Sequence, residues 1–507
     1  MPTDLDGEFK LKGEFLAAES DRSIILERSE KYAGWTLPYI FPDDPLTSQE
    51  ELQNDFQSVG AQAVTNLSNK ILMALFQPAR PFYRMQLTKE QRISVSESTG
   101  LSDAQIDAGL AKAERDGMRE LDKLNARVAM NDMVQQLIIT GNSLLHMPQS
   151  DEETMQVYSI RDYTIKRDLR GTPVKIILRE TKSIDGLSDN LRAMAEAEGY
   201  GEKDDVSLYT GIVRVGDRYK VWQELEDVCY CHKRVGLYNK DSLPWIPLTW
   251  NLARGKDYGT GLVESYAGDF HTLSTLAEAI LDFTTVATDV KNLVNPTGMT
   301  DVREITQAPS GAYVHGREED IVTYSADITD ASNFLTNQFE VVSRRIGAAF
   351  LLNTAVTRDA ERVTAEEIRM QAHELESSLG GVYSRLATEL QLPLAKRIMK
   401  RIDKQFKSVE PIIVTGFESL SRNSELGNLR AFVQDLVGLA EVPDEVKLRL
   451  KFGDVIALLG AGHGVDYKSF LKDESQVERD KKAAIAAQAQ AAGAEAGAVT
   501  AAQGQGQ

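Results

Sequence analysis

The side chains able to do chemistry fall into three charged groups, and none has the spacing of a catalytic set. Arg358 and Arg362 sit in a polar loop that follows an apolar helix pattern. Lys396, Arg397, Lys400, Arg401, Lys404 and Lys407 crowd the end of a long helix pattern against one acid, Asp403. Glu264, Asp269, Glu278, Asp282 and Asp289 lie along a third helix pattern that carries no lysine or arginine. Clustered bases are the residues that meet phosphate, and acids on an inward face would repel it. Each group also has a plainer reading. A helix C-terminus favours cations, although six exceed what the dipole needs. Arg362 can pair with Asp359 or Glu366, and the acids equally suit a solvated face or salt bridges between subunits.

Metal and nucleophilic chemistry find little support. Cys229, Cys231 and His232 supply three local ligands, with no second Cys/His pair at zinc spacing, and two thiols on one strand face read as structural. His146 stands alone among Leu144, Leu145 and Met147 and reads as a packing residue. No phosphate-cradling glycine loop, HExxH or GxSxG is present. The expectation is a protein with no cofactor, no metal, no catalytic residue and no enzymatic activity.

Composition narrows the class further. The chain has 507 residues, enough for two to four domains, and a net charge of −19. That acidity opposes tight, whole-surface DNA binding but suits a protein that lets DNA slide past. No run approaches the ~18 apolar residues of a membrane span, and MPTDLDGEFK lacks the pattern of a signal peptide, so assembly in the cytosol is expected.

The elements that must position these groups follow from apolar periodicity. Helices are expected over 8–33, over 56–76, from the capping box Ser102-Asp-Ala-Gln105 to about Thr140, over 262–290 and over 328–352. Short strands are expected at 163–167, 174–180, 207–215, 218–225 and 228–233, with a helical, polar insertion at 183–205. Between the last two helices, 291–327 is turn-rich, with Asn295-Pro-Thr-Gly298, Ala308-Pro-Ser-Gly311 and His315-Gly316. A second capping box, Thr364-Ala-Glu-Glu367, opens a long helix to Lys407, in which Gly380-Gly381 and Pro393 leave open whether there is one helix or two. Pro411–Gly416 reads as an extended connection, and the tail from about Glu474 is too rich in Ala, Gln and Gly to bury a core. The fold class is mainly α with a β-rich portion, an α+β chain.

Several stretches are specific enough to carry a resemblance. They are Trp35-Thr-Leu-Pro-Tyr-Ile-Phe-Pro42, Val59 to Phe76, Gly141-Asn-Ser-Leu-Leu145, Leu293 to Gly298, Glu361 to Arg369, Leu379 to Tyr383 and Glu389 to Leu394. In these, and in segment order from about residue 10 to 475, the chain resembles the portal (head-to-tail connector) proteins of short-tailed, podovirus-type (autographivirus-like) bacteriophages. The resemblance implies a portal fold assembled as a dodecameric ring, with double-stranded DNA packaged and ejected through its axis. It implies a wing over 1–261 (β-rich at 156–250), stem helices at 262–290 and 328–352, and a clip at 291–327. It further implies a tunnel loop at 353–363, a long wing helix and connection at 364–416, a crown at 417–473 and a disordered tail at 474–507.

On that basis Asn353, Thr357, Arg358 and Arg362 are expected at the DNA, and Glu264, Asp269, Glu278 and Asp282 are candidates to line the channel. Lys396, Arg397, Lys400, Arg401 and Lys404 form a basic cluster, and Arg303, Arg317 and Glu318 are candidate partner contacts on the clip. Implied partners are further copies of the chain, the DNA, the major capsid protein, the scaffolding protein, the terminase large subunit, the tail adaptor protein and internal core or ejection proteins, with no membrane. The virion portal vertex is the implied location, after assembly in host cytoplasm. The alternative is a helical scaffold or adaptor virion protein without a DNA channel.

Overall fold

A computed structural model describes residues 10–41, 55–76, 81–149, 153–187, 189–197, 199–201, 205–226, 229–230, 236–288, 291–324, 329–352, 381–402, 410–413 and 434. The chain divides into two compact units, Met1–Gly416 and Phe417–Gln507, and all described residues but Gln434 belong to the first. The expected tunnel loop, the capping box at Thr364, the crown apart from Gln434, the tail, Cys231, His232, Asp289, Lys404 and Lys407 lie outside the described residues. None of the described helices is long and apolar enough to cross a membrane.

Helix and sheet are mixed, as the alternation of periodicities predicts. The first helical stretch is two helices, α1 (Leu11–Asp21) and α2 (Ser23–Gly34), rather than one. The break is at Arg22, a buried cation whose guanidinium donates to the carbonyls of Ile160, Tyr163 and, at 3.2 Å, Arg161. The bend lets the two helices bury against different partners. α1 lays Leu11 and Phe15 on Ile177, Tyr209 and Trp222 of the sheet, whereas α2 turns Tyr32 and Ala33 into the main helical core. The amides of Lys10 and Leu11 donate to the buried Glu224 carboxylate at 3.1 and 2.9 Å, so a sheet side chain caps α1.

The same substitution of two helices for one occurs further on. α3 (Val59–Leu75) has the expected stripe, and β1 (Tyr83–Gln86) leads to α4 (Lys89–Thr99), which has too few apolar residues to show periodicity. The stretch after Ser102 divides into α5 (Asp103–Lys123) and α6 (Ala126–Thr140), parted at Asn125 with φ 51°. Asparagine tolerates this left-handed conformation, which lets an apolar stripe continue along a new axis.

The β-rich region follows the expected strands closely. β2 (Asn142–His146) and β3 (Gln156–Tyr158) precede β4 (Tyr163–Arg167) and β5 (Pro173–Ser183). The insertion contributes α7 (Asp189–Ala197), and then come β6 (Asp205–Val215), β7 (Arg218–Leu225), β8 (Cys229–Tyr230), β9 (Gly236–Asn239) and β10 (Trp245–Thr249). β4 to β8 form an antiparallel meander in chain order, with β9 also paired to β7. Val215 faces Arg218 across the tight turn read from the sequence, and Gly216 takes φ 61° there. The β4 edge is covered by side chains: Ile165 N donates to Tyr258 Oη at 3.2 Å and Arg167 N to Asp257 Oδ1 at 2.7 Å. A second sheet, β10-β2-β3, packs into the helical core.

The Gly141–Leu145 stretch has a physical reason. Gly141 ends α6 at φ 77°, and a Cβ there would stand 2.3 Å from the Thr260 carbonyl carbon. Asn142 then pairs with Gly259 as a backbone would, accepting from its N at 2.8 Å and donating to its O at 2.9 Å. Both groups are buried. Asn142→Ala is expected to lower unfolding stability by about 2 kcal/mol in a urea titration, because two buried backbone groups lose their partner.

His146 is a packing residue, stacked on Trp245 with centroids 4.9 Å apart. Burial pulls its pKa from 6.5 down to about 4. A base whose folded pKa is depressed is stabilising above its unfolded pKa and loses that contribution as it is forced to charge. Stability should therefore fall with acidification from about pH 6.5 towards 4, and the slope in that window should flatten in His146→Gln when melting is followed against pH.

Candidate functional site

Two helices leave the body as a hairpin. α8 (Leu262–Ser265) and α9 (Ala267–Thr288) replace the single helix expected over 262–290, with a turn at Tyr266. That turn lets Val263 bury against the body while α9 departs. β11 (Lys291–Val294), the short helix α10 (Val302–Gln307) and β12 (Ile321–Tyr324) form the tip, and α11 (Thr329–Ala349) returns. β11 and β12 pair antiparallel from Lys291↔Tyr324 to Val294↔Ile321, so a two-stranded ribbon closes the turn-rich segment. Asp269 near the start of α9 reaches Arg345 near the end of α11 at 2.8 Å, as an antiparallel pair requires.

Burial along the hairpin is graded. At its root Phe270, Leu273, Ile346 and Phe350 have no exposed surface, and the Phe270 and Phe350 rings meet edge to face at 5.6 Å. Further out, Leu281 is 51%, Val286 55% and Phe334 63% exposed. At the tip Met299 is 79% exposed and Tyr313 fully so. Apolar residues exposed together on one element mark an interaction surface.

The acids divide into two kinds. Glu264 pairs with Arg28 at 2.7 Å and Asp269 with Arg345, so both serve as internal ion pairs. Glu278 and Asp282 are exposed one turn apart on the outer half of α9 and have no ion pair among the described residues. Like charges at this spacing cost a few tenths of a kcal/mol, so the helix keeps them against its own stability.

The tip is organised by Asp320, which its turn-rich setting leads one to expect as an exposed charge but which is buried. The buried Asp320 carboxylate accepts from Met299 N at 2.9 Å, Thr300 N at 3.2 Å and Thr300 Oγ1 at 2.8 Å. The Thr300 hydroxyl first, then the two amides, hold it below the usual carboxylate range. Its own carbonyl accepts from Asn295 N at 2.9 Å, and Thr300 Oγ1 accepts from Arg317 N at 2.8 Å. The nearest sequence signal is the Asn295-Pro-Thr-Gly298 turn, which needs an acceptor. Arg303, Arg317 and Glu318, singled out earlier, are exposed on this frame with no ion pair among the described residues.

The long helix is described over 381–402. It runs through Gly381–Leu386, a π turn at Ala387–Gln391 and Leu392–Ile402 without interruption. The wide turn lies just before Pro393 and moves away the carbonyl its ring would strike. Gln391 Nε2 donates to Leu75 O at 2.6 Å and locks this turn to the end of α3. Of the four described members of the basic cluster, Arg397 and Arg401 are turned inward. Lys396 pairs with Asp241 at 3.1 Å, Arg397 donates to Leu243 O and Pro393 O at 2.5 and 2.8 Å, and Arg401 meets Pro148 O at 2.9 Å and Glu120 at 3.3 Å. Lys400 is exposed.

A further pair, missed by sequence reasoning, holds the exit from α11. Lys70 Nζ and Asn66 Nδ2, one turn apart on α3, donate to Leu351 O at 2.6 and 3.1 Å. Leu351 has φ 56°, a strained conformation for leucine that the surrounding contacts fix. A lysine beside an apolar stripe carries no sequence mark of such a role.

A body-rooted hairpin with an apolar outer half and a self-organised tip defines a protein built to assemble with others. Residues 9–471 match the family described as bacteriophage head to tail connecting protein, and the chain belongs to that family. It is 33% identical over 505 residues to the portal protein of Escherichia phage T7, spanning 96% of this chain and 92% of that one. It is also 33% identical over 490 residues to the portal protein of Enterobacteria phage T3, spanning 93% and 89%. Its function is that of a phage portal, the virion component between head and tail. Among solved structures, the neck of an empty GTA particle is 12% identical with a TM-score of 0.39, covering 80% of this chain and 90% of that chain, too loose a likeness to argue from.

Gly298 has no room for a side chain, since a Cβ would lie 2.5 Å from the Asp320 carboxyl group. Gly298→Ala should open the tip to limited proteolysis between 295 and 320 while leaving the melting transition of the body in place.

Proposed function

We propose that about twelve copies of this chain close into a ring at one capsid vertex, through which double-stranded DNA enters during packaging and leaves during ejection. The observation that carries this reading is the hairpin, whose outer half exposes Leu281, Val286 and Phe334 and whose Glu278 and Asp282 have no ion pair among the described residues. Copies side by side around an axis cover the apolar faces through a heterologous interface that closes. α9 and α11 are then the stem, with the acids facing the bore. The 291–327 segment is the clip, which meets the terminase large subunit and later the tail adaptor through Arg303, Arg317 and Glu318. The body from residue 1 to 261 and the long helix with its connection, 364–416, are the wing, set against the major capsid and scaffolding proteins. Residues 417–473 are the crown, facing internal core or ejection proteins. The loop 353–363 brings Asn353, Thr357, Arg358 and Arg362 to the DNA.

The chemistry suits passage rather than grip. Duplex DNA carries about one charge per 1.7 Å of axis, and each lysine in the bore would add a phosphate contact and its counterion release. Acids there keep the duplex centred and mobile. The protein supplies no energy for movement; the terminase does. Portal function asks for no reaction, cofactor or metal.

Native mass spectrometry and negative-stain imaging test this. Wild type and a Glu278→Lys/Asp282→Lys variant should both give rings near twelve subunits, and only the variant should retain duplex DNA at physiological salt. A monomer or dimer at every concentration would overturn the ring. Equal DNA retention by both rings would remove these acids from the bore.

A further inference from the structure

One end of the β4–β8 meander gathers arginines on turns that come from three places in the chain. Alternate turns of an antiparallel meander share an end, so the β4–β5 turn (168–171) and the β6–β7 turn (215–218) lie side by side. A third turn, 253–256, follows β10, with Lys256 N donating to Ala253 O at 3.1 Å. Arg170, Arg218 and Arg254 stand exposed on the three, with Lys256 beside the last, and none has an ion pair among the described residues. The turns are tied to one another. Asp168 accepts from Arg170 N at 3.0 Å and Thr172 N at 2.9 Å, which sets the first turn. Arg214 reaches the same carboxylate at 3.0 Å from the strand that enters the second. Arg167 donates to Gly171 O at 2.9 Å and Asp257 O at 3.0 Å, bracing the first turn against the third. Asp168 is thereby occupied, and Asp217 is the remaining acid on the three turns. In a chain of net charge −19, this end carries a local excess of positive charge.

We propose that this end of the sheet is a second contact surface for duplex DNA, one that takes the phosphate backbone outside the bore. It rests on the portal reading only for the presence of DNA beside the chain. The first two turns lie two strand spacings apart, about 10 Å, and over that rise one strand of a duplex presents about three charges. A guanidinium meets a phosphate with two parallel donors, and turns fixed in advance lose little freedom on contact. An acidic protein is the weaker fit. Leu169 is 82% and Val215 57% exposed at this end, but the three turns carry no aromatic side chain to anchor a protein interface. Carboxylates on a protein surface also have no fixed repeat to match a row of turns.

Covalently closed circular duplex tests this, because a closed circle cannot be threaded through a ring. The full chain should retard it in a gel at low salt, with affinity falling as salt is raised. In Arg170→Ala/Arg218→Ala/Arg254→Ala the slope of log affinity against log salt should be shallower by about 2 to 3, one phosphate contact per arginine. Arg170→Lys/Arg218→Lys/Arg254→Lys keeps the charge and should restore most of that slope, and Leu169→Ser should leave it unchanged. Circular dichroism and negative-stain imaging of each variant separate loss of binding from loss of fold or assembly. No retention of the circle at low salt, or an unchanged slope in the folded alanine variant, would overturn the surface. Loss of retention in a folded Leu169→Ser chain would overturn the phosphate backbone as its occupant. A ring that holds linear duplex but not the circle would overturn this surface and leave the channel standing.

Discussion

Among the described residues the hairpin is held at one end only, and its direction depends on how that end is fixed. Phe270 and Phe350 close the root edge to face, with Tyr266 against Phe350 at 5.9 Å. Each fully buried ring contributes roughly 1.5–3 kcal/mol of burial, enough to seat the two helices but not to set their direction. Direction comes from polar contacts at the rim. Asp269 and Arg345 tie the helices to each other, Glu264 and Arg28 tie the turn to α2, and Lys70 and Asn66 fix the carbonyl of Leu351 where α11 ends. A lever fixed by packing alone would rock. Fixed also by hydrogen bonds from a separate helix, its angle is set by the body.

Lys70 belongs to a wider pattern. Arg22 is bonded to the carbonyls of Ile160, Arg161 and Tyr163, Arg167 to those of Asp257 and Gly171, and Arg397 to those of Leu243 and Pro393. Arg385 meets Trp250 O and Arg401 meets Pro148 O. In a chain of net charge −19, these cations are used as clips on backbone carbonyls, alongside others that pair with acids. Carbonyl oxygens do not titrate, so these clips hold across the pH range in which carboxylate pairs fail. They also satisfy acceptors at strand and helix ends, where the backbone has no regular partner. Many acids then remain on the surface, Glu278 and Asp282 among them.

This pattern explains what could be read from the sequence. The strands at 163–167 and 218–225 follow from alternation and turn residues, and the hairpin helices from stripes that meet a common core. Helix breaks were invisible where the stripe continues across them. Arg22, Asn125 and Tyr266 each sit in an unbroken apolar rhythm, and at Arg22 and Tyr266 the bend meets partners far away in the chain. Lys70 and Asn142 were missed as sites, and Asp320 was expected exposed, for the same reason: each acts through a backbone group, and backbone groups leave no trace in residue type. The basic cluster was legible as a cluster, but the inward turn of Arg397 depends on Leu243, more than a hundred residues earlier.

The exposed acids and the buried clips are two sides of one constraint. On the proposed channel reading, a wall past which a polyanion moves presents few cations, because each contact adds affinity that has to be broken at every step. A large folded chain nevertheless needs arginine and lysine to bind its loops. Turning those cations inward onto carbonyls meets both demands, at the cost of desolvating them.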